Sequence, residues 1–216
     1  ADLGIATDGD ADRVFFVDNL GRPVEPGILR ALMAKIFLEE RPGATIAYDI
    51  RPGKITPETI IANGGQPLVT KVGHSFIKEA TLESGAYFAA ESSGHFFLNM
   101  EHGCYEVPGV IIIKLLQALS KTHETLAELI KPYQKYYNSG EINRRVSDPA
   151  AKIKLIAERY SDGQLDYLDG LTVTYPDFWF NIRPSNTEPV LRFSLEAKTP
   201  EIMTTKRDEI LKLLAN

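Results

Sequence analysis

The 216 residues carry 24 lysines and arginines against 29 aspartates and glutamates, a formal net charge of −5, with 44% hydrophobic and 25% charged residues. That balance fits a soluble globular chain of one large or two ordinary domains, and gives no electrostatic reason to expect nucleic acid or a membrane as a partner. No apolar run approaches the roughly 20 residues of a membrane span, and the single cysteine, Cys104, excludes an internal disulfide and suits a reducing, cytoplasmic setting.

In chain order, the first chemically loaded segment is Ala6-Thr7-Asp8-Gly9-Asp10-Ala11-Asp12-Arg13. Side chains at alternate positions of an extended segment share one side, so Asp8, Asp10 and Asp12 can converge on one ion. Three carboxylates suit a hard cation such as Mg²⁺, and Arg13 adds a planar fork for a phosphate beside it. An EF-hand is excluded, because Arg13 and Asn19 stand where that loop needs glycine and glutamate. Leu3 to Ala6 and Val14 to Val17 place this loop next to a buried strand.

Val14 to Asn19 is predicted as a strand, followed by a turn and a helix with Ile28, Leu29, Leu32, Met33, Ile36 and Phe37 on one stripe. Ala44 to Ile50 alternates as a strand, and Arg51 at its end occupies a loop position where open α/β sheets bind ligands. Thr56-Pro57 is predicted to cap and start a helix stopped by Gly64-Gly65. Pro67 to Val72 is a strand that feeds Lys71-Val72-Gly73-His74-Ser75 into a helix. His74 is thereby placed at a helix start, where backbone N–H groups attract anions, with Lys71 and Lys78 near. Tyr87 to Ala90 is a further strand, and Glu91-Ser92-Ser93-Gly94-His95 follows it. A carboxylate and hydroxyls on one loop suit paired sugar hydroxyls, and His95 is a candidate proton carrier.

Helices follow at about 107–119 and 125–131. The strand–helix alternation predicts a mixed, mostly parallel α/β sheet with helices on both faces. Asn138-Ser139-Gly140 has the composition of a linker, which puts a domain boundary at about residue 138. Beyond it, a strand at 142–146, a helix opened by Asp148-Pro149, three strands (171–175, 178–182, 190–197) and a last helix (200–214) predict an α+β domain with an antiparallel sheet. Arg183-Pro184-Ser185-Asn186-Thr187-Glu188-Pro189, with Arg192 beyond, is the strongest anion signal: a guanidinium, hydroxyls and an amide in a proline-bounded loop. Glu188 is expected to brace an arginine. Phe178 and Phe180 are expected in the core, with Trp179 on the other face.

Residue chemistry alone leads to a metal beside a phosphosugar. The four motifs, in this order, also resemble the α-D-phosphohexomutase family, the phosphomannomutases and phosphoglucomutases. Its pattern comprises a D-G-D-x-D-R metal loop, a T-K-x-G-H-S segment, an E-x-S-G-H sugar loop and an R-x-S-x-T-E-P phosphate loop. The resemblance implies a phosphotransferase-type isomerase that interconverts hexose 1-phosphate and hexose 6-phosphate through a phosphoserine and a bisphosphate intermediate. It implies Mg²⁺ on Asp8, Asp10 and Asp12, with Arg13, His95 and His74 as catalytic residues. Arg51, Glu91, Ser93, Arg183, Ser185, Asn186 and Thr187 would bind the phosphosugar. The Gly73-His74-Ser75 segment looks like the mannose/glucose group, since phosphoglucosamine mutases tend to carry aspartate after that glycine.

By the same resemblance, residues 1–22 are the tail of the family's second domain, 23–137 its third, sugar-binding domain and 138–216 its fourth, phosphate-binding domain. No Ser-His-Asn-like phosphoserine loop occurs in the chain, and it opens at Ala1 without methionine. The expected partners are therefore a small-molecule phosphosugar and missing N-terminal domains of the same protein, and the isolated chain is expected to bind without turnover. The alternatives are a phosphosugar-binding module that never catalyses, a phosphoglucosamine mutase, and a phosphatase using Asp8 as nucleophile.

Overall fold

Alternation makes Val14–Val17 a strand (β2) whose inward side chains, Val14 and Phe16, are buried. It pairs antiparallel with β1 (Gly4–Thr7), Thr7 opposite Val14, so residues 8–13 form the loop of a hairpin. The computed structural model describes residues 1–185 and 190–215. It divides into two compact units, residues 1–49 with 53–135 and residues 50–52 with 136–216.

In the first unit, β3 (Thr45–Asp49) lies between β4 (Gln66–Thr70) and β5 (Phe88–Ala90), parallel to both. An antiparallel hairpin, β6 (Phe96–Met100) and β7 (Gly103–Glu106), extends the sheet to the order β4-β3-β5-β6-β7. The sheet is mixed, as expected, but the hairpin was not anticipated: its apolar run is short and follows directly on a loop rich in polar residues. Successive residues face opposite sides. Ile46, Phe88, Phe96 and Leu98 pack under α1 (Pro26–Glu40), α4 (Pro108–Ser120) and α5 (Leu126–Ile130). Ala47, Ala89 and Phe97 face α3 (His74–Ser84) through Ile77. Helices thus cover both faces, and the inner strands β3, β5 and β6 carry most of the buried apolar residues, while the edge strands β4 and β7 are more exposed.

Between β3 and β4, α2 (Ile55–Ala62) begins one residue before its predicted cap, Thr56. Thr56 does not cap the helix. Its hydroxyl donates to Gly27 O at 3.1 Å, so burial against the start of α1 satisfies it instead.

The second unit is a five-stranded antiparallel sheet of order β8-β12-β11-β10-β9: β8 (Tyr137–Arg144), β9 (Gln164–Asp166), β10 (Leu171–Thr174), β11 (Phe178–Pro184) and β12 (Leu191–Ala197). Residues of α6 (Pro149–Arg159) and α7 (Pro200–Ala215) complete its core, in which Phe180, Phe193, Ile156 and Ile210 are fully buried. Asp148 caps α6 by accepting from Ala151 N at 2.9 Å, with Pro149 in its first turn. The expected linker at Asn138-Ser139-Gly140 is part of β8. Ser139 Oγ accepts from Leu195 N (2.9 Å), Asn138 Oδ1 accepts from Gly140 N (3.0 Å), and the register with β12 shifts between Ser194 and Glu196. Polar, turn-forming residues are accommodated there because β8 is an edge strand with an irregularity. Phe178 stacks toward Phe180 (ring centroids 6.5 Å apart), while Trp179 on the opposite face donates to Glu196 Oε2 at 2.9 Å. Among the described residues no helix is long and apolar enough to cross a membrane.

Candidate active site

The tip of the β1–β2 hairpin folds back on itself. Ala11 adopts φ 60 and its N–H reaches Asp8 O at 3.3 Å. A non-glycine residue in that conformation costs about 1–2 kcal/mol. The turn gathers the three aspartates: Asp8, Asp10 and Asp12 each offer an oxygen within 4.8 Å of the others. Asp12 Oδ1 is buried and accepts no hydrogen bond. Crowded carboxylates with an unused buried acceptor fit a cation, and an all-oxygen donor set suits a hard one such as Mg²⁺.

Arg13 turns back over this cluster. Its backbone N–H donates to Asp8 Oδ1 (3.3 Å), and Nε lies 3.3 Å from Asp8 Oδ2. Nε also donates to His95 Nε2 at 3.3 Å. That donor needs a lone pair on Nε2, which places the imidazole proton on Nδ1. From Nδ1, Ser93 Oγ is 3.0 Å away and Glu91 Oε2 is 3.3 Å away. Ser93 Oγ in turn donates to Glu91 Oε2 at 3.3 Å. His95, Ser93 and Glu91 therefore form a directed chain of hydrogen bonds that presents a basic ring nitrogen toward the acidic hairpin.

Two backbone groups hold this arrangement. Gly73 N donates to the buried Glu91 at Oε1 (3.1 Å), linking the turn before α3 to the Glu91–His95 loop. Val14 N donates to Gly94 O (3.1 Å), linking the acidic hairpin to the same loop. Gly94 has φ 94, and a Cβ there would lie 2.8 Å from Phe15 Cζ and 3.3 Å from Arg13 Cβ, so glycine is what permits the approach. His74, the first residue of α3, contacts Glu106 Oε1 through Nε2 at 2.8 Å, and its ring meets His95 edge-on with centroids 5.5 Å apart. Glu106 is also 3.8 Å from His95 Nε2. Asp12, His95 and Glu106 form a second group with metal-ligand spacing. The Arg13 hydrogen bond already occupies its only ring nitrogen on that side.

In the second unit, Arg183 on β11 lies directly opposite Arg192 on β12. Like charges across a strand pair repel. Glu141 on β8 offsets this by accepting from Arg183 Nη2 (2.7 Å) and Arg192 Nη1 (3.1 Å). Arg183 is buried, and Ser185 N closes the base of the loop on Val190 O at 2.9 Å. Asn186, Thr187 and Glu188 lie outside the described residues, and so does the arginine brace expected of Glu188. Arg51 belongs with this second unit.

Asp8, Asp10, Asp12, Arg13, Glu91, Ser93, His95 and His74 are thus gathered at one place in the first unit. Arg183 and Ser185 stand at the base of one loop in the second. Sequence reasoning missed Glu106, Glu141 and the Gly73 amide. Glu106 ends a strand that was not predicted, and Glu141 looked like part of a linker.

Residues 26–136 match the family model described as phosphoglucomutase/phosphomannomutase, alpha/beta/alpha domain III, and residues 141–213 match its C-terminal domain. The phosphomannomutase of Methanocaldococcus jannaschii is 43% identical over 214 residues, which is 99% of this chain and 47% of that protein. A crystal structure of a phosphoglucomutase/phosphomannomutase family protein from Burkholderia thailandensis is similar at a TM-score of 0.87 and 31% identity, over 99% of this chain and 46% of that one. The N-acetylphosphoglucosamine mutase of Aspergillus fumigatus, solved with GlcNAc-6P and magnesium, shares the fold (TM-score 0.70, 14% identity, 97% of this chain and 48% of that one). This chain spans about half the length of the curated relatives it matches. With both of its units matched, the chain belongs to the phosphoglucomutase/phosphomannomutase family.

Proposed function

We propose that the chain is the sugar- and phosphate-recognising half of a phosphohexomutase that interconverts the 1- and 6-phosphates of mannose or glucose. On this reading residues 1–22 end the family's second domain, 23–137 are the third and 138–216 the fourth. The phosphoserine would come from N-terminal domains beyond this chain. It would phosphorylate the sugar to a bisphosphate, which turns over in the site and returns its other phosphate. The chain alone would bind and not turn over.

The observation that carries the reading is the hydrogen-bond chain from Glu91 through Ser93 and His95 to Arg13, ending among three aspartates. Asp8, Asp10 and Asp12 would hold Mg²⁺, whose charge stabilises a phosphoryl group in transfer. Arg13 would orient that group. His95 would take a hydroxyl proton on Nε2 once Arg13 turns to phosphate, with Nδ1–H steadied by Ser93 and Glu91. His74 would stand behind it as a second proton carrier. Glu91 and Ser93 would meet the sugar's hydroxyls, and Arg183, Ser185, Asn186 and Thr187, with Arg51, the phosphate that stays in place.

The test is ³¹P NMR of mannose 1-phosphate and glucose 1-phosphate with the full-length protein, primed with glucose 1,6-bisphosphate. Conversion to the 6-phosphates is expected, with loss of turnover in His95→Ala. Release of inorganic phosphate, or turnover of glucosamine phosphate alone, would contradict the proposal.

A further inference from the structure

The Glu91–His95 loop is also held by a buried charge pair. Arg30 on α1 and Asp49 at the end of β3 both have fully buried side chains, with Arg30 Nη1 2.5 Å from Asp49 Oδ1. Arg30 Nη1 also donates to the Asp49 carbonyl at 3.2 Å. Asp49 also accepts twice from one residue of the loop: Oδ2 from Ser92 N (2.9 Å) and Oδ1 from Ser92 Oγ (3.0 Å). An ion pair taken out of water adds little stability over a packed apolar pair. What an apolar pair lacks is a fork of two directed acceptors.

We infer that Asp49, fixed in its rotamer by Arg30, is a positioning residue that sets the geometry of the Glu91–His95 loop for sugar recognition. Ser92 lies between the two residues proposed to meet the hydroxyls, so the direction in which its N–H is held sets the backbone course of both. The same loop closes on itself through Glu91 N to His95 O (2.9 Å) and Gly94 N to Glu91 O (3.2 Å). It is tied at Glu91 by Gly73 and at Gly94 by Val14, and Asp49 holds its centre at Ser92. The inference rests on the proposed sugar-binding role of this loop.

The experiment is calorimetric titration of the chain with glucose 1-phosphate and, separately, inorganic phosphate, together with amide exchange of residues 91–95. Three forms are compared: wild type, Asp49→Asn and Ile46→Val. Ile46 is buried three residues before Asp49 on the same strand and supplies none of the acceptors that hold Ser92, so its truncation lowers stability and leaves that tether in place. Asp49→Asn is expected to weaken glucose 1-phosphate binding about tenfold while inorganic phosphate binding holds, and to speed exchange at Ser92 and Ser93 about tenfold. Ile46→Val is expected to change neither. If Asp49→Asn lowers only the melting temperature, as Ile46→Val does, the inference is overturned.

Should Asp49→Asn fail to fold, Ser92→Ala removes just the hydroxyl contact. It should weaken glucose 1-phosphate binding about threefold, and unchanged affinity and exchange there would overturn the claim. A wild-type chain that does not bind glucose 1-phosphate would refute the loop's proposed role instead. The positioning claim would then be decided by exchange at Ser92: faster in Asp49→Asn supports it, and unchanged sinks it.

Discussion

Replacing Gly94 with alanine probes the place where the Glu91–His95 loop and the acidic hairpin meet. Two penalties add. The first is conformational: residue 94 has φ 94, and an L side chain in such backbone costs about 1–2 kcal/mol. The second is steric, since the new Cβ would stand 2.8 Å from Phe15 Cζ, 3.1 Å from Phe15 Cε1 and 3.3 Å from Arg13 Cβ. Overpacking of that kind costs about 1–3 kcal/mol. Phe15 is 37% exposed and its ring tip can swing outward, which favours the lower end. The sum expected is about 2–4 kcal/mol. Gly64, just past the end of α2, isolates the first penalty: it has φ 75 and nothing within 4 Å of an added Cβ. Gly64→Ala should therefore cost about 1–2 kcal/mol. Urea unfolding followed by far-UV circular dichroism gives both values. In Gly94→Ala the Arg13–His95 contact should also slacken, with a loss of phosphosugar affinity that Gly64→Ala does not share. If Gly94→Ala costs no more than Gly64→Ala and binds as well, the close approach of loop and hairpin is wrong.

Arg30→Met leaves the Asp49 carboxylate buried without its partner and should cost about 3–5 kcal/mol in urea unfolding. The double variant Arg30→Met/Asp49→Leu should be more stable than Arg30→Met, and a strictly additive cycle would contradict the pairing. Burial, reinforced by the hydrogen bond to Asp162, pushes the Tyr175 phenol up to about 12. The folded chain thus holds this proton more tightly than the unfolded one, so the group's stabilisation is complete below pH of about 10 and is lost as pH climbs toward about 12. An alkaline absorbance titration, differenced against Tyr175→Phe, should place this ionisation well above that of an exposed tyrosine; coincidence with the exposed ones would be contrary evidence. Three aspartates alone leave much of a divalent ion's shell to water, so Mn²⁺ followed by electron paramagnetic resonance should bind on the order of millimolar, and more weakly in Asp12→Asn. Sub-micromolar binding would mean that the chain completes the metal site by itself.

Much of this was legible in the sequence where local chemistry decides the outcome. Asp148-Pro149 started a helix, Phe178 and Phe180 alternated into a core with Trp179 on the other face, and the strand-end motifs around Asp8, Gly73 and Glu91 come together in the first unit. What escaped depends on partners distant in the chain. Thr56 looks like a cap until Gly27, from the start of another helix, takes its hydroxyl. Asn138-Ser139-Gly140 has turn composition, and only the ladder with β12 makes it a strand. Glu106, Glu141 and Asp49 carry no local signature. Each matters through a side chain or a loop that the fold brings to it: His74, the paired arginines, and Arg30 with Ser92.

The central claim is that this chain recognises a hexose phosphate. Its most direct test is calorimetric titration of the chain with glucose 1-phosphate and mannose 1-phosphate, repeated on Arg183→Ala. Saturable binding that disappears in the variant is the predicted result. An absence of saturable binding, or affinity indifferent to the loss of Arg183, would contradict the account.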